Sequence, residues 1–231
     1  MDFSGWLKLT LVDYDNHIAT TFFSAGCNFR CPFCQNSDLV LRPAEAPIIP
    51  WEELKKYLIK RQGMIEGVCI TGGEPTLMPD LEDKIREIKS LGYDVKLDTN
   101  GSNPEVVERL LKEHLLDYVA MDIKNSKGGY SKTIGLKDVD MNKIKRSIAL
   151  IMTAPDYEFR STIIDEFHSE ESIKGMAELI KGAKRMFLQH YVDSKYCIEH
   201  GFHEVSKEKA THYMDILNKL GIPTKLRGYE Y

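Results

Sequence analysis

Strand-like and helix-like segments alternate about six times along the chain, which predicts an α/β fold built on a parallel sheet. Two further observations agree. Short loops rich in Gly, Asn and Asp follow directly on strand-like segments, where parallel α/β proteins place their ligand sites. A chain of 231 residues with 42% hydrophobic content can bury one full core, so residues 1–231 are expected to form a single domain. The alternation alone fits either a barrel or an open doubly wound sheet.

Taken in order, residues 6–12 alternate as a strand does, and the Asp- and Asn-rich residues 13–17 read as a turn. Residues 18–24 are β-branched and aromatic, a strand that delivers the chain into a Cys-rich loop. After a Pro-rich connection over 42–50, Trp51, Leu54, Leu58 and Ile59 recur at helical spacing within 51–61. Residues 68–71 make a strand running into Gly72-Gly73-Glu74-Pro75, with a helix over 80–91. The strand 95–99 closes on Asn100-Gly101, and Pro104 suits the first turn of the next helix. A strand over 118–124, a Gly/Ser/Lys loop and a helix over 141–151 follow. The strand 159–164, the helix 170–181, the strand 186–190 and the helix 207–220 complete the series, with 224–227 as a candidate last strand.

Cys27, Cys31 and Cys34 fall within eight residues. Three thiolates so close together predict a metal site. Structural zinc wants four closed ligands, whereas three cysteines on a four-iron cluster leave one iron open for chemistry. A zinc knuckle completed by the distant Cys69 or Cys197 is the competing reading. Gly26 lets the loop turn tightly, and Pro32 stiffens it. Cys69 lies in an apolar strand and reads as core; Cys197 reads as a loop thiol.

Other residues at strand ends carry weaker signals. Gly72 and Gly73 let the backbone pass close to a ligand, and the Glu74 carboxylate can pair with an ammonium. Asp98-Thr99-Asn100-Gly101 would suit a hairpin turn, but a helix follows it. Asp122 and Lys124, two residues apart, share a strand face. Arg160 offers a fork suited to a carboxylate, and His190 ends a strand.

The cysteine spacing, with aromatic Phe33 just before the third cysteine, resembles the radical S-adenosylmethionine (SAM) superfamily. The resemblance implies a partial, open (β/α)6 barrel with the cluster loop after its first strand. It also implies a 4Fe-4S cluster held by Cys27, Cys31 and Cys34. SAM would chelate the open iron, and its one-electron cleavage would yield a 5′-deoxyadenosyl radical. Phe33 would lie beside the adenine, and Gly72, Gly73 and Glu74 would hold the amino end of SAM, with Glu74 on the ammonium.

Residues 11–15, 18–23 and the cysteine loop through Gln35 and Asn36 look like the start of anaerobic ribonucleoside-triphosphate reductase activating proteins, with Asp15-Asn16 and Gln35 as departures. From the wider group of glycyl-radical-enzyme activating enzymes come a small cation held by Asp98, Thr99 and Asp122, with Lys124, Arg160 and His190 reaching SAM. The implied activity is hydrogen abstraction from a glycine of a partner glycyl radical enzyme, most specifically anaerobic ribonucleotide reductase. A flavodoxin- or ferredoxin-type protein would donate the electron. With only Cys69 and Cys197 beyond the loop, a single cluster is expected.

Composition excludes other classes. The 31 basic and 35 acidic residues leave a net charge of −4, so nucleic acid is not an expected partner. No apolar run reaches membrane-spanning length and no signal-like segment opens the chain, so a cytoplasmic protein is expected. Five cysteines, three in one loop, suit a reducing compartment. Two alternatives remain: a radical SAM enzyme acting on a small molecule, such as a 7-deazapurine synthase, and a non-catalytic metal-binding module.

Overall fold

The computed structural model describes residues 2–229. Its centre is one sheet of eight strands in sequence order: β1 (Gly5–Thr10), β2 (Ala19–Ser24), β3 (Gly67–Gly72), β4 (Asp94–Thr99), β5 (Tyr118–Asp122), β6 (Asp156–Ile163), β7 (Met186–His190) and β8 (Thr224–Arg227). β1 pairs antiparallel with β2, and every later pairing is parallel. The order begins at β1 and ends at β8, so the sheet is open rather than closed. The parallel α/β architecture read from the sequence is present, including the short last strand.

Helices α1 (Ser37–Leu41), α2 (Trp51–Arg61), α3 (Leu81–Ser90), α4 (Pro104–Lys112), α5 (Tyr130–Thr133), α6 (Met141–Ile151), α7 (Glu170–Leu179) and α8 (Lys207–Lys219) connect the strands. Each long helix follows from its residues. α3 buries Leu81, Ile85 and Ile88, one stripe at helical spacing. α4 starts on Pro104, whose missing N–H costs nothing at a first turn. The Asp140 carboxylate accepts the Asn142 and Lys143 amides that open α6, and Ser169 and Ser172 form a reciprocal cap on α7. α1 and α5 were not expected: at five and four residues they are too short to display a periodic stripe.

Strands β3 and β5 are buried along nearly their whole length, as parallel strands covered on both faces must be. β1 departs from the expected span of 6–12. It ends at Thr10, after an irregularity in its pairing with β2, and leaves Leu7 and Leu9 exposed at the sheet edge. The residues that follow turn under the sheet. Tyr14 is buried with its ring stacked on His17 at 3.8 Å and set edge-on to Tyr118 at 5.7 Å. The Thr21 hydroxyl donates to Asp13 Oδ2 at 2.6 Å, and Lys96 Nζ donates to the Asp13 carbonyl. This loop shuts the N-terminal end of the strands. The opposite end stays free for ligands.

Phe22 is fully buried on β2, against Phe3 at 5.3 Å. Phe22→Ala should cost about 3–5 kcal/mol, read as a lower urea midpoint with an unchanged denaturant slope. A cost below about 1 kcal/mol would show that this strand is not packed as described.

Candidate active site

The cysteine loop leaves the C-terminal end of β2 and is pinned from several directions by backbone hydrogen bonds. Gly73 N–H donates to Ser24 O at 2.9 Å, and Glu74 N–H to Gly26 O at 2.8 Å. On the far side Arg30 N–H donates to Ile134 O at 2.9 Å, and Glu199 and Ile198 amides donate to Pro32 and Cys34 carbonyls at 2.7 and 3.1 Å. The loop's contact with β3 demands glycine. A Cβ on Gly73 would stand 2.0 Å from Gly26 O, and one on Gly72, whose φ is +116°, would stand 2.4 Å from Ser24 O. Asn36 Nδ2 closes the loop by donating to Gly72 O at 3.0 Å.

Cys27, Cys31 and Cys34 line one cavity of about 310 Å³ together with Phe33, Gly72, Gly73, Asp98, Thr99, Asp122, Lys124, Arg160 and His190. Twelve of the thirteen residues singled out in the sequence thus meet at one place. The thirteenth, Glu74, is fully buried behind the wall and does not line the cavity. Its Oε1 accepts from Thr76 N at 3.1 Å, Thr76 Oγ1 at 2.5 Å and Thr99 Oγ1 at 2.8 Å, and its Oε2 accepts from Asn100 N at 2.6 Å. Here Glu74, the residue expected at the ammonium, ties the end of β3 to the end of β4. Burial pushes its pKa up, and these donors hold it back.

The floor of the cavity is a ladder of charges. Arg160 on β6 donates through Nε to Asp122 Oδ1 at 2.8 Å and through a terminal nitrogen to Asp98 Oδ2 at 3.0 Å. Lys124 Nζ reaches Asp122 Oδ2 at 3.0 Å, and Lys96 Nζ stands 3.2 Å from Asp98 Oδ1. Burial alone would raise both carboxyls, yet Arg160 with Lys96 lowers Asp98, and Arg160 with Lys124 lowers Asp122 far below the usual range. Three cations face two carboxylates here, so both acids are compensated by the chain itself. Where a small cation was expected, the acids hold Arg160, and the Thr99 hydroxyl is turned to Glu74. Lys96 was missed by sequence reasoning, although its place two residues before Asp98 puts it on the same strand face.

At the rim, Phe33 is nearly buried and packs against Phe167 and Tyr191 at 5.9 and 6.5 Å. His190 faces the cavity while its Nε2 meets Glu204 Oε2 at 2.5 Å. Asn100, Thr162 and Gln189 also line the cavity and were not singled out beforehand.

The donor set fits an iron–sulfur cluster. Cys69 is buried within β3, and Cys197 is buried with its Sγ 3.9 Å from the Tyr191 hydroxyl; neither lines the cavity. Three thiols on one cavity wall instead suit a cluster that takes one sulfur at each of three corners. Burial pushes Cys31 up to about 12 and raises Cys27 as well, so these thiolates need the positive charge that bound iron brings.

An open parallel α/β sheet with a three-cysteine loop beyond its first parallel strand defines an iron–sulfur enzyme class, and the radical SAM superfamily profile matches residues 21–186. The chain belongs to that superfamily. It is 32% identical over 194 residues to a provisionally named glycyl-radical enzyme activating enzyme of Methanocaldococcus jannaschii, covering 81% of this chain and 79% of that one. It is also 25% identical to a 7-carboxy-7-deazaguanine synthase of Thermococcus kodakarensis, over 71% of each chain. Two solved structures share the fold. A domain of pyruvate-formate lyase-activating enzyme from Bacteroides vulgatus matches with a TM-score of 0.57 at 21% identity, covering 71% of this chain and 99% of that one. Streptococcus suis SuiB bound to S-adenosylmethionine matches with 0.67 at 15% identity, covering 89% of this chain and 51% of that one.

Two outcomes are expected. Gly73→Ala should drive the cysteine loop off β3, costing about 1–3 kcal/mol and the bound iron; iron analysis after anaerobic reconstitution checks it, and full iron content would refute the close contact. Arg160→Met should cost about 3 kcal/mol at pH 7 by leaving two acids facing each other. In the parent, the lowered carboxyls add stability above the ordinary aspartate pKa and lose it as pH falls through their folded values. In the variant only Lys96 and Lys124 remain to lower them, so its deficit in urea titrations should narrow below about pH 4.

Proposed function

We propose that this chain is an activating enzyme that generates the glycyl radical of a partner enzyme in the cytoplasm. Anaerobic ribonucleoside-triphosphate reductase is the first partner to test, with a flavodoxin- or ferredoxin-type protein as electron donor. The observation that carries the reading is the convergence of Cys27, Cys31 and Cys34 with the Gly72-Gly73 backbone and the Lys124–Asp122–Arg160 ladder on one cavity. Similarity to the M. jannaschii activating enzyme over four fifths of the chain supports it.

Each group has work in this reading. The cysteines hold the cluster. Lys124 and Arg160 on the floor offer their positive charge to the SAM carboxylate. Gly72 and Gly73 expose backbone to its amino end, and Phe33 offers an apolar wall for the adenine. Arg160 and Lys124 hold their positions through Asp98 and Asp122, and His190 stands at the rim. When bound, the cluster and SAM supply one-electron cleavage of a sulfur–carbon bond and the hydrogen abstraction that follows.

A second reading has its own support in the similarity to 7-carboxy-7-deazaguanine synthase: the substrate is a small molecule. One experiment separates them. The reconstituted protein, SAM and a reductant are incubated anaerobically with and without the reductase, following 5′-deoxyadenosine and the paramagnetic resonance signal of a glycyl radical. A partner-dependent glycyl signal is expected. Cleavage of SAM with no glycyl signal would favour the small-molecule reading, and a colourless zinc-loaded protein would remove both.

A further inference from the structure

Asn100 stands one residue beyond β4, on the cavity wall, with only 6% of its surface exposed. Its amide orientation is set by its surroundings. Oδ1 accepts the Ser102 N–H at 2.9 Å, so Nδ2 is the end turned toward Cys27 Sγ, 3.7 Å away, and toward Asn28 Oδ1 at 2.9 Å. Asn28 is oriented in turn, since its Nδ2 donates to Ser102 Oγ at 2.8 Å. The backbone of Asn100 is fixed by its N–H bond to the buried Glu74 carboxylate at 2.6 Å. Cys27 Sγ also accepts the Phe29 N–H at 3.3 Å. Among the described residues no hydrogen bond reaches Sγ of Cys31 or Cys34, so Cys27 alone of the three is so equipped.

We infer that Asn100 tunes the reduction potential of the cluster held by Cys27, Cys31 and Cys34, with Glu74 and Asn28 as positioning residues for its side chain. The inference rests on the reading of these cysteines as cluster ligands. An N–H aimed at a ligand sulfur stabilises negative charge there, and hydrogen bonds to the sulfurs are among the factors that set cluster potentials. Reduction adds one electron from an external one-electron donor and takes the cluster from the 2+ to the 1+ state. No proton moves, and Asn100 keeps both amide hydrogens. The added negative charge is better tolerated with the donor in place, so the potential is higher with Asn100 than without it.

The test is a redox titration of the full chain, anaerobically reconstituted and without SAM or partner, with iron content measured in parallel. Asn100→Ala should lower the equilibrium constant for reduction about tenfold, a potential about 59 mV more negative. Asn100→Asp keeps an acceptor for Ser102 N–H but turns an oxygen toward the sulfur, and should lower the potential further. Asn28→Ala removes only the tether and should give a smaller shift in the same direction. An unchanged potential in Asn100→Ala at full iron content would overturn the inference. If that variant loses its iron, Asn28→Ala decides, and an unchanged potential there would overturn it. A parent protein without a four-iron spectrum would overturn the cluster reading, and this inference with it.

Discussion

The close approach of Gly73 to Gly26 is the contact on which the site depends. The loop that carries the three thiols has no regular structure of its own, and its backbone carbonyls and amides must find partners elsewhere. The Gly26 carbonyl finds one in the Glu74 amide because two successive glycines at the end of β3 let the two segments meet at a distance no Cβ would permit. The same contact places Glu74 behind the wall, where it gathers the ends of β3 and β4. Fold and site are therefore joined through one patch of bare backbone.

The charge ladder below is the second constraint. Burying Asp98 and Asp122 side by side would be costly without compensation, and compensation comes from Lys96, Lys124 and Arg160 in a chain of ion pairs between 2.8 and 3.2 Å. Each of these groups is thus held by an ion-pair partner before any ligand is considered.

The strands and the long helices were legible because each carries a local signal: a β-branched run, an apolar stripe, a Pro or a capping residue. The cysteines and Gly72-Gly73 were legible for the same reason, as local patterns. The role of Glu74 was not, since a carboxylate beside two glycines looks alike whether it faces a ligand or the core. The pairing of Arg160 with Asp98 was equally hidden, because the two are 62 residues apart and meet only when β4, β5 and β6 lie side by side. Asn100 was read as part of a turn, and its contact with Cys27 comes from two loops that the sheet brings together. Local chemistry could be read from the sequence; which group answers which needed the topology.

The loop that carries Asp13, Tyr14 and His17 closes one end of the strands, and the ion pairs of Asp98 and Arg160 lie across the cavity above it. The cavity therefore has a closed floor, and it lies beyond the C-terminal ends of the strands, with Gln189 and His190 among the residues that line it. A ligand seated there would meet the charged floor at its inner end while the open side of the sheet leaves room for a second, larger molecule beside it.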